Sequence, residues 1–201
     1  MTTVAELPAG FADKVLSAQS VFRSVMDAMA RPGSVKRIQP AAGAADIMMR
    51  GTAALSLTLF DHDTPIWLDP AMSATPEVAK WLKFHTGAPV VADSSTASFA
   101  LVGDPQSLSA LDRFAFGSNE YPDRSTTLIL QVESLDDGTI VELQGPGIDG
   151  TMVLRASIQP RDLFERLNIN AALFPRGIDV VLVHDDSIVA IPRTTRLVRG
   201  G

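Results

Sequence analysis

The sequence of 201 residues contains no cysteine. This excludes disulfides, cysteine-ligated zinc, iron–sulfur clusters and thiolate catalysis within the chain, and with them a small secreted disulfide scaffold. Its hydrophobic content of 46% is too high for a disordered chain. We therefore expect one domain over residues 1–201, with a core that needs no covalent staple.

Long hydrophobic runs are also missing. The apolar stretch at residues 53–60 is far shorter than a membrane span and contains serine and threonine. Residues 1–10 lack the basic start and apolar run of a signal peptide. We expect a cytoplasmic protein that binds no membrane. The formal net charge of −6 argues against a nucleic-acid partner, because such binding needs a basic face.

Lysine is scarce, and its distribution is uneven. The chain has 13 arginines but only four lysines, Lys14, Lys36, Lys80 and Lys83. The segment 187–201 carries three arginines and no acidic residue, whereas residues 61–186 carry eight basic and 19 acidic residues. A small basic region therefore ends a chain that is acidic on average.

Apolar residues at three- and four-residue spacing predict an amphipathic helix over residues 11–29. The residues that share its apolar face are Val15, Ala18, Phe22, Val25, Met26 and Met29. Arg31-Pro32-Gly33 should end this helix, because proline cannot continue the backbone ladder. A second helix is predicted over residues 46–59, with Asp46 as a candidate N-cap.

Thr75-Pro76-Glu77 predicts the start of a third helix, which runs to about Phe84 and ends near Gly87. Shorter helices are expected over residues 105–114 and 160–167. Strands are predicted near Trp67 and over residues 98–102, 126–132, 139–143 and 152–158. Residues 180–183 and 188–191 form a predicted hairpin. This pattern indicates an α/β fold with a mixed sheet between layers of helices.

Residues 145–150 match the dinucleotide fingerprint G-x-G-x-x-G letter for letter. That fingerprint requires a helix after the glycines, whose N-terminus meets the pyrophosphate. A strand pattern follows here instead, at residues 151–154. We interpret the match as a tight turn between antiparallel strands.

Asp61-His62-Asp63 places an imidazole between two carboxylates. Such groups can bind a divalent metal or act as acid and base. Neighbouring residues seldom converge on one ion, and the other two histidines are distant in sequence. The sequence favours a polar turn, and we expect no metal site.

Arginine and threonine side chains bind phosphate or phosphonate oxygens. Both residue types occur at Arg193 and Thr194, within Ile191-Pro192-Arg193-Thr194-Thr195-Arg196. The alternative is a charged edge strand at the C-terminus. His85 ends a predicted helix, where the dipole alone can explain a histidine. Arg23, His85, Arg193 and Thr194 are our candidate anion site.

Several segments, taken in order, resemble the PhnH family, the H subunit of bacterial carbon–phosphorus lyase. The likeness runs from about residue 18 to residue 198 and is weakest over residues 103–122. The matching pieces are Phe22-Arg23, residues 29–33, Asp61-x-Asp63-Thr64-Pro65-x-Trp67, Phe84-His85-Thr86-x-Ala88-Pro89, residues 127–132, Leu143-x-Gly145-x-Gly147-Ile148, Phe174-Pro175-x-Gly177-Ile178-Asp179 and residues 190–195.

The resemblance implies a three-layer α/β/α fold like a reduced type I pyridoxal-phosphate transferase. It implies a homodimer in isolation and, in cells, an assembly with the G, I and J subunits. With those partners the family supports displacement of adenine from ATP by a phosphonate, which gives a ribose 1-phosphonate 5-triphosphate. ATP or a phosphonate is therefore a candidate ligand.

The lysine distribution bears on the cofactor. A pyridoxal enzyme needs a Schiff-base lysine, which comes late in a type I transferase fold. This chain has no lysine after Lys83. We expect no pyridoxal phosphate and no other cofactor.

Our leading hypothesis is a subunit of the carbon–phosphorus lyase core complex that is not catalytic alone. A second hypothesis is an autonomous homodimeric enzyme acting on a nucleotide or phosphonate, with Asp61, Asp63 and His85 as acid–base groups. A third is a purely structural scaffold subunit.

Overall fold

The structure, a computed structural model, describes residues 10–41, 46–108, 110–158, 160 and 162–199. Nine of the ten residues used to judge a signal peptide lie outside this set. The α-helices are α1 (Lys14–Ala30), α2 (Arg50–Leu59), α3 (Pro70–Ser73), α4 (Pro76–Thr86) and α5 (Leu163–Ala171). The strands are β1 (Lys36–Arg37), β2 (Ile66–Leu68), β3 (Phe99–Val102), β4 (Thr127–Gln131), β5 (Thr139–Gln144), β6 (Met152–Ala156), β7 (Asp179–His184), β8 (Ser187–Ile191) and β9 (Arg196–Arg199).

The strands form two sheets in the described part of the chain. The larger sheet has the order β1-β8-β7-β4-β3-β2, in which β2, β3, β4 and β7 are parallel and β8 is antiparallel to both of its neighbours. The smaller sheet, β6-β5-β9, is antiparallel. The predicted mixed α/β fold with a mixed sheet is confirmed.

Both faces of the larger sheet are buried, because successive side chains of a strand point to opposite faces. Ile129 and Val181 face a core that contains α1, α2 and α4. Leu128 and Val180 face a second core, which the smaller sheet and α5 cover. Helices therefore cover one face, whereas the smaller sheet and α5 pack on the other face, which was predicted to carry helices alone.

Helix α1 has the predicted position, but only part of its predicted apolar face, namely Ala18, Val25 and Met29, packs against the core. Its buried residues are Ser17, Val21, Val25 and Ala28. Three residues of the predicted apolar face, Val15, Phe22 and Met26, are exposed by 65%, 49% and 53%. The helix thus carries more apolar surface than the fold covers.

The start of α2 corrects the sequence prediction. Asp46 lies in a turn, and the helix begins at Arg50 (residues 42–45 are outside the described set). The buried amide of Gln131 takes the place of a cap: its Oε1 accepts hydrogen bonds from the Met49 N–H at 2.7 Å and the Thr52 hydroxyl at 2.9 Å. A side chain of β4 therefore fixes the beginning of α2.

Other boundaries also differ. Thr75 precedes α4 as predicted, but its hydroxyl donates to the Ala71 carbonyl and caps no amide of the helix. The helix predicted over residues 105–114 is two short 3-10 helices, Pro105–Ser107 and Leu111–Arg113. The helix predicted at 160–167 is α5, which starts later and ends later. Among the described helices, none has the length and apolarity to cross a membrane.

The two predicted hairpins are confirmed. Strands β7 and β8 pair from Val180 opposite Ile191 to His184 opposite Ser187. Strands β5 and β6 flank the glycine-rich turn, so the fingerprint match belongs to a β-turn. Gly147 in that turn has φ of 82°, and a Cβ there would lie 2.2 Å from the Ala30 carbonyl oxygen at the end of α1. Only glycine allows this approach of the turn to the helix.

We expect Gly147→Ala to destabilise the protein more than Gly150→Ala. Both glycines have positive φ, so both substitutions carry a backbone cost of about 1–3 kcal/mol. An added Cβ at Gly150 meets nothing within 4 Å, whereas at Gly147 it collides with backbone. Thermal and urea unfolding of the two variants measures the difference. Equal losses of stability would contradict the contact with Ala30.

Candidate functional site

Arg193 lies at the centre of a hydrogen-bond network after β8. Its guanidinium forms an ion pair with Asp179, the first residue of β7, through Nε at 3.1 Å and Nη2 at 2.5 Å. The Arg193 backbone N–H also donates to the same carboxylate at 2.7 Å. Both side chains are only 14% exposed. The hairpin between β7 and β8 brings the two residues together at its open end.

The remaining donors of Arg193 bind other loops. Nη1 donates to the Pro122 carbonyl at 2.8 Å and to the Pro175 carbonyl at 3.4 Å, and Nη2 donates to the Ser125 hydroxyl. The guanidinium has five N–H groups and makes five hydrogen bonds to the protein. In this structure it therefore joins three segments of the chain and has no donor left for an anion.

A cavity of about 370 Å³ lies beside this network. Its wall is mostly apolar, and Phe174 within it is 63% exposed. The lining side chains other than Arg193 and Asp179 are Pro122, Asp123, Phe174, Pro175, Pro192 and Thr194. Thr194 is half-buried, and its hydroxyl makes no hydrogen bond within the described ranges. Thr194 thus stays available to a ligand of this cavity.

The other two candidates lie elsewhere. Arg23 is exposed on α1, and His85 lies in the last turn of α4, with its ring 4.6 Å from that of Trp81 and 5.0 Å from that of Phe84. Neither lines the cavity beside Arg193. Helices α1 and α4 pack on one face of the larger sheet, whereas α5, which leads to Phe174, packs on the other. The structure brings Arg193 and Thr194 together but does not assemble the four-residue site.

Asp61-His62-Asp63 forms the polar turn that the sequence favours. The Asp61 carboxylate accepts hydrogen bonds from the Thr64 hydroxyl at 2.7 Å and the Asp63 N–H at 3.0 Å. These two bonds hold the pKa of Asp61 below its ordinary value of 3.8. His62 and Asp63 are at least 80% exposed. Among the described residues no three His, Asp or Glu side chains are placed to share a metal ion.

The lysines do not line the cavity. Lys36 pairs with Asp27 at 2.5 Å, and Lys83 donates to the Gly87 carbonyl at the end of α4. Lys14 and Lys80 are exposed on helices.

Comparison with known proteins decides the family. The family model described as bacterial phosphonate metabolism protein (PhnH) matches residues 9–198. The chain belongs to the PhnH family.

Two curated relatives cover nearly the whole chain. The chain is 43% identical over 200 residues to the alpha-D-ribose 1-methylphosphonate 5-triphosphate synthase subunit PhnH of Rhizobium meliloti (strain 1021), covering 99% of this chain and 100% of the relative. It is 30% identical over 200 residues to the putative C-P lyase subunit protein HtxG of Stutzerimonas stutzeri, covering 98% and 95%.

Two of the PhnH-like motifs meet at the Arg193 network. Phe174-Pro175-x-Gly177-Ile178-Asp179 supplies the partner carboxylate, and residues 190–195 supply the arginine. Asp179 was not predicted as a partner of Arg193. The predicted hairpin could have indicated this pair. Its register places Val180 opposite Ile191, and therefore Asp179 opposite Pro192, the neighbour of Arg193.

Asp69 is a second buried polar residue that the sequence did not reveal. It is fully buried, and its Oδ1 accepts the Met72 N–H at the start of α3. Its Oδ2 accepts the N–H groups of Gly103 and Asp104, just after β3. This carboxylate joins the ends of two parallel strands and is structural in this PhnH-family chain.

We expect Arg193→Ala to lower the free energy of unfolding by about 3 kcal/mol or more, because it leaves the Asp179 carboxylate buried without its cation. Removing both partners, in Arg193→Ala with Asp179→Ala, should cost less than the two single changes added together. Urea unfolding of the full cycle measures the coupling. Arg176→Ala, an exposed arginine in the preceding loop, is the matched control and should change stability by less than about 0.5 kcal/mol. If the losses of unfolding free energy in the two single variants add up to the loss in the double variant, the network is contradicted.

We expect Thr64→Val to raise the pKa of Asp61 toward 3.8, because it removes the hydroxyl that makes the largest contribution to the lowering. The hydrogen bond stabilises the turn at neutral pH and is lost as the pH falls through the lowered pKa. Carboxyl NMR titration of both proteins measures the shift. Asp93, whose pKa Ser95 lowers in the same way, is the internal control and should not move. An unchanged titration of Asp61 would contradict the assignment.

Proposed function

We propose that this chain is a subunit of the phosphonate-degrading machinery that works with partner proteins. In this role it supports displacement of adenine from ATP by a phosphonate, which gives a ribose 1-phosphonate 5-triphosphate. The observation that carries the proposal is membership of the PhnH family over almost the whole chain. Both relatives are named as subunits.

The geometry favours a supporting role over autonomous catalysis. Arg193 is committed to internal acceptors, and Asp61 and Asp63 lie in an exposed turn. His85 lies on α4, where its ring lies beside those of Trp81 and Phe84. We propose the cavity that contains Thr194 as the place where this subunit contacts ATP or the phosphonate.

The partners, cofactor and location are further parts of the proposal. We propose assembly with the G, I and J subunits, a homodimer when the chain is alone, and a cytoplasmic location. We propose that the whole chain is one domain with a reduced transferase-like fold and no pyridoxal phosphate. The lysine positions support the last point, since the four lysines lie away from the cavity. A yellow protein that borohydride bleaches would contradict it.

We expect adenine release from ATP and methylphosphonate only when this chain and the G, I and J subunits are present together. The measurement is adenine by liquid chromatography, with each protein left out in turn. Release by this chain alone would support the autonomous enzyme hypothesis instead. Full release by the partners without this chain would contradict the proposal. Thr194→Val tests the cavity and should lower the rate, whereas Thr58→Val on α2 is the matched control.

A further inference from the structure

Helix α1 carries an exposed apolar face in addition to its buried one. Val15, Phe22 and Met26 lie on one line of the helix at spacings of seven and four residues, and Leu16 lies beside them. Their exposed fractions are 65%, 49%, 53% and 66%. The adjoining side of α1 is already packed against the core through Val21, Val25 and Ala28.

Single exposed apolar residues are ordinary, but a contiguous set on one helix is not. Apolar surface left in water forgoes the free energy that its burial would contribute. Large exposed apolar patches on soluble proteins mark surfaces that bind other molecules. Helices bind partners through anchors at such spacings, laid into a groove. The exposed face of α1 fits this kind of contact.

The charges on α1 indicate what covers this face. Arg23 is exposed beside the apolar line and has no ion pair with any described residue. The two carboxylates of this region are engaged: Asp13 accepts the N–H groups of residues 15 and 16, and Asp27 pairs with Arg31 and Lys36. A second copy docked through the same face would bring another Arg23 and no unengaged carboxylate of α1 or its N-cap. A different chain that carries a carboxylate is the better match.

We propose that Val15, Leu16, Phe22, Arg23 and Met26 form the docking surface for a partner subunit. The partner presents an apolar groove with a carboxylate opposite Arg23. This inference rests on the proposed function, in which the chain acts within an assembly, and it assigns a specific surface to that assembly.

Co-expression with the G, I and J subunits tests the surface. With the tag on a partner, we expect Phe22→Glu combined with Met26→Glu to reduce co-purification of this chain at least tenfold. Arg23→Glu should weaken it more than Arg23→Gln, because it places like charges together. Val153→Glu, at a residue on β6 with 54% exposure, is the matched control and should assemble normally. Circular dichroism melts check that each variant is folded.

The outcomes separate this inference from the proposed function. If the wild-type chain does not assemble with the partners, the proposed function fails. If the wild type assembles and the α1 variants assemble equally well, the docking surface is wrong and the proposed function stands. If the α1 variants assemble but lose self-association in light scattering, the face binds a second copy, which also overturns the inference. If Val153→Glu reduces co-purification as much as the α1 variants do, the inference is also overturned.

The absence of cysteine provides an independent measurement. Gln19→Cys introduces a single thiol in the middle of the apolar face, and Lys80→Cys introduces one on the exposed side of α4. In the assembled complex, we expect maleimide labelling to slow at least tenfold at position 19 and to stay unchanged at position 80. Equal labelling of the free and assembled chain at position 19 would overturn the docking surface.

Discussion

The ion pair between Arg193 and Asp179 determines how the second half of the chain closes. One guanidinium binds the start of β7, the loop before β4 and the loop after α5. Where a polar group that it binds is buried, as at Ser125, the loss of its partner costs about 1–3 kcal/mol. The cavity beside the network takes its shape from the same loops. The same hydrogen bonds therefore hold these loops together around the cavity.

The two faces of α1 have different roles: one packs within the fold, and the other is the proposed docking surface. One face packs with α2 and β8, and the Gly147 turn contacts the end of the helix. These contacts fix the direction of the helix before any partner arrives. A pre-ordered helix loses little conformational entropy on binding, so its exposed side chains can contribute most of their burial to affinity.

The sequence was informative where the signal was local. Apolar and β-branched runs located β4, β7 and β8, and the strand pattern after Gly150 separated a β-turn from a dinucleotide fingerprint. Contacts between residues far apart in the chain could not be predicted from the sequence. The beginning of α2 depends on Gln131, 82 residues from Met49 in the chain, and the fork of Arg193 reaches Pro122 across 71 residues. Periodicity also locates apolar residues without telling which of two apolar faces the core will cover.

The edges of the larger sheet restrict how this protein associates. The two edge strands are short: β1 has two residues, both basic, and β2 has three. Such edges offer few backbone groups to an added strand. Contacts with other chains at this sheet must then come from side chains on the helices and loops around it. An interface made of side chains can be strengthened, weakened or redirected by single substitutions, so the composition of the complex can change in evolution while the sheet stays the same.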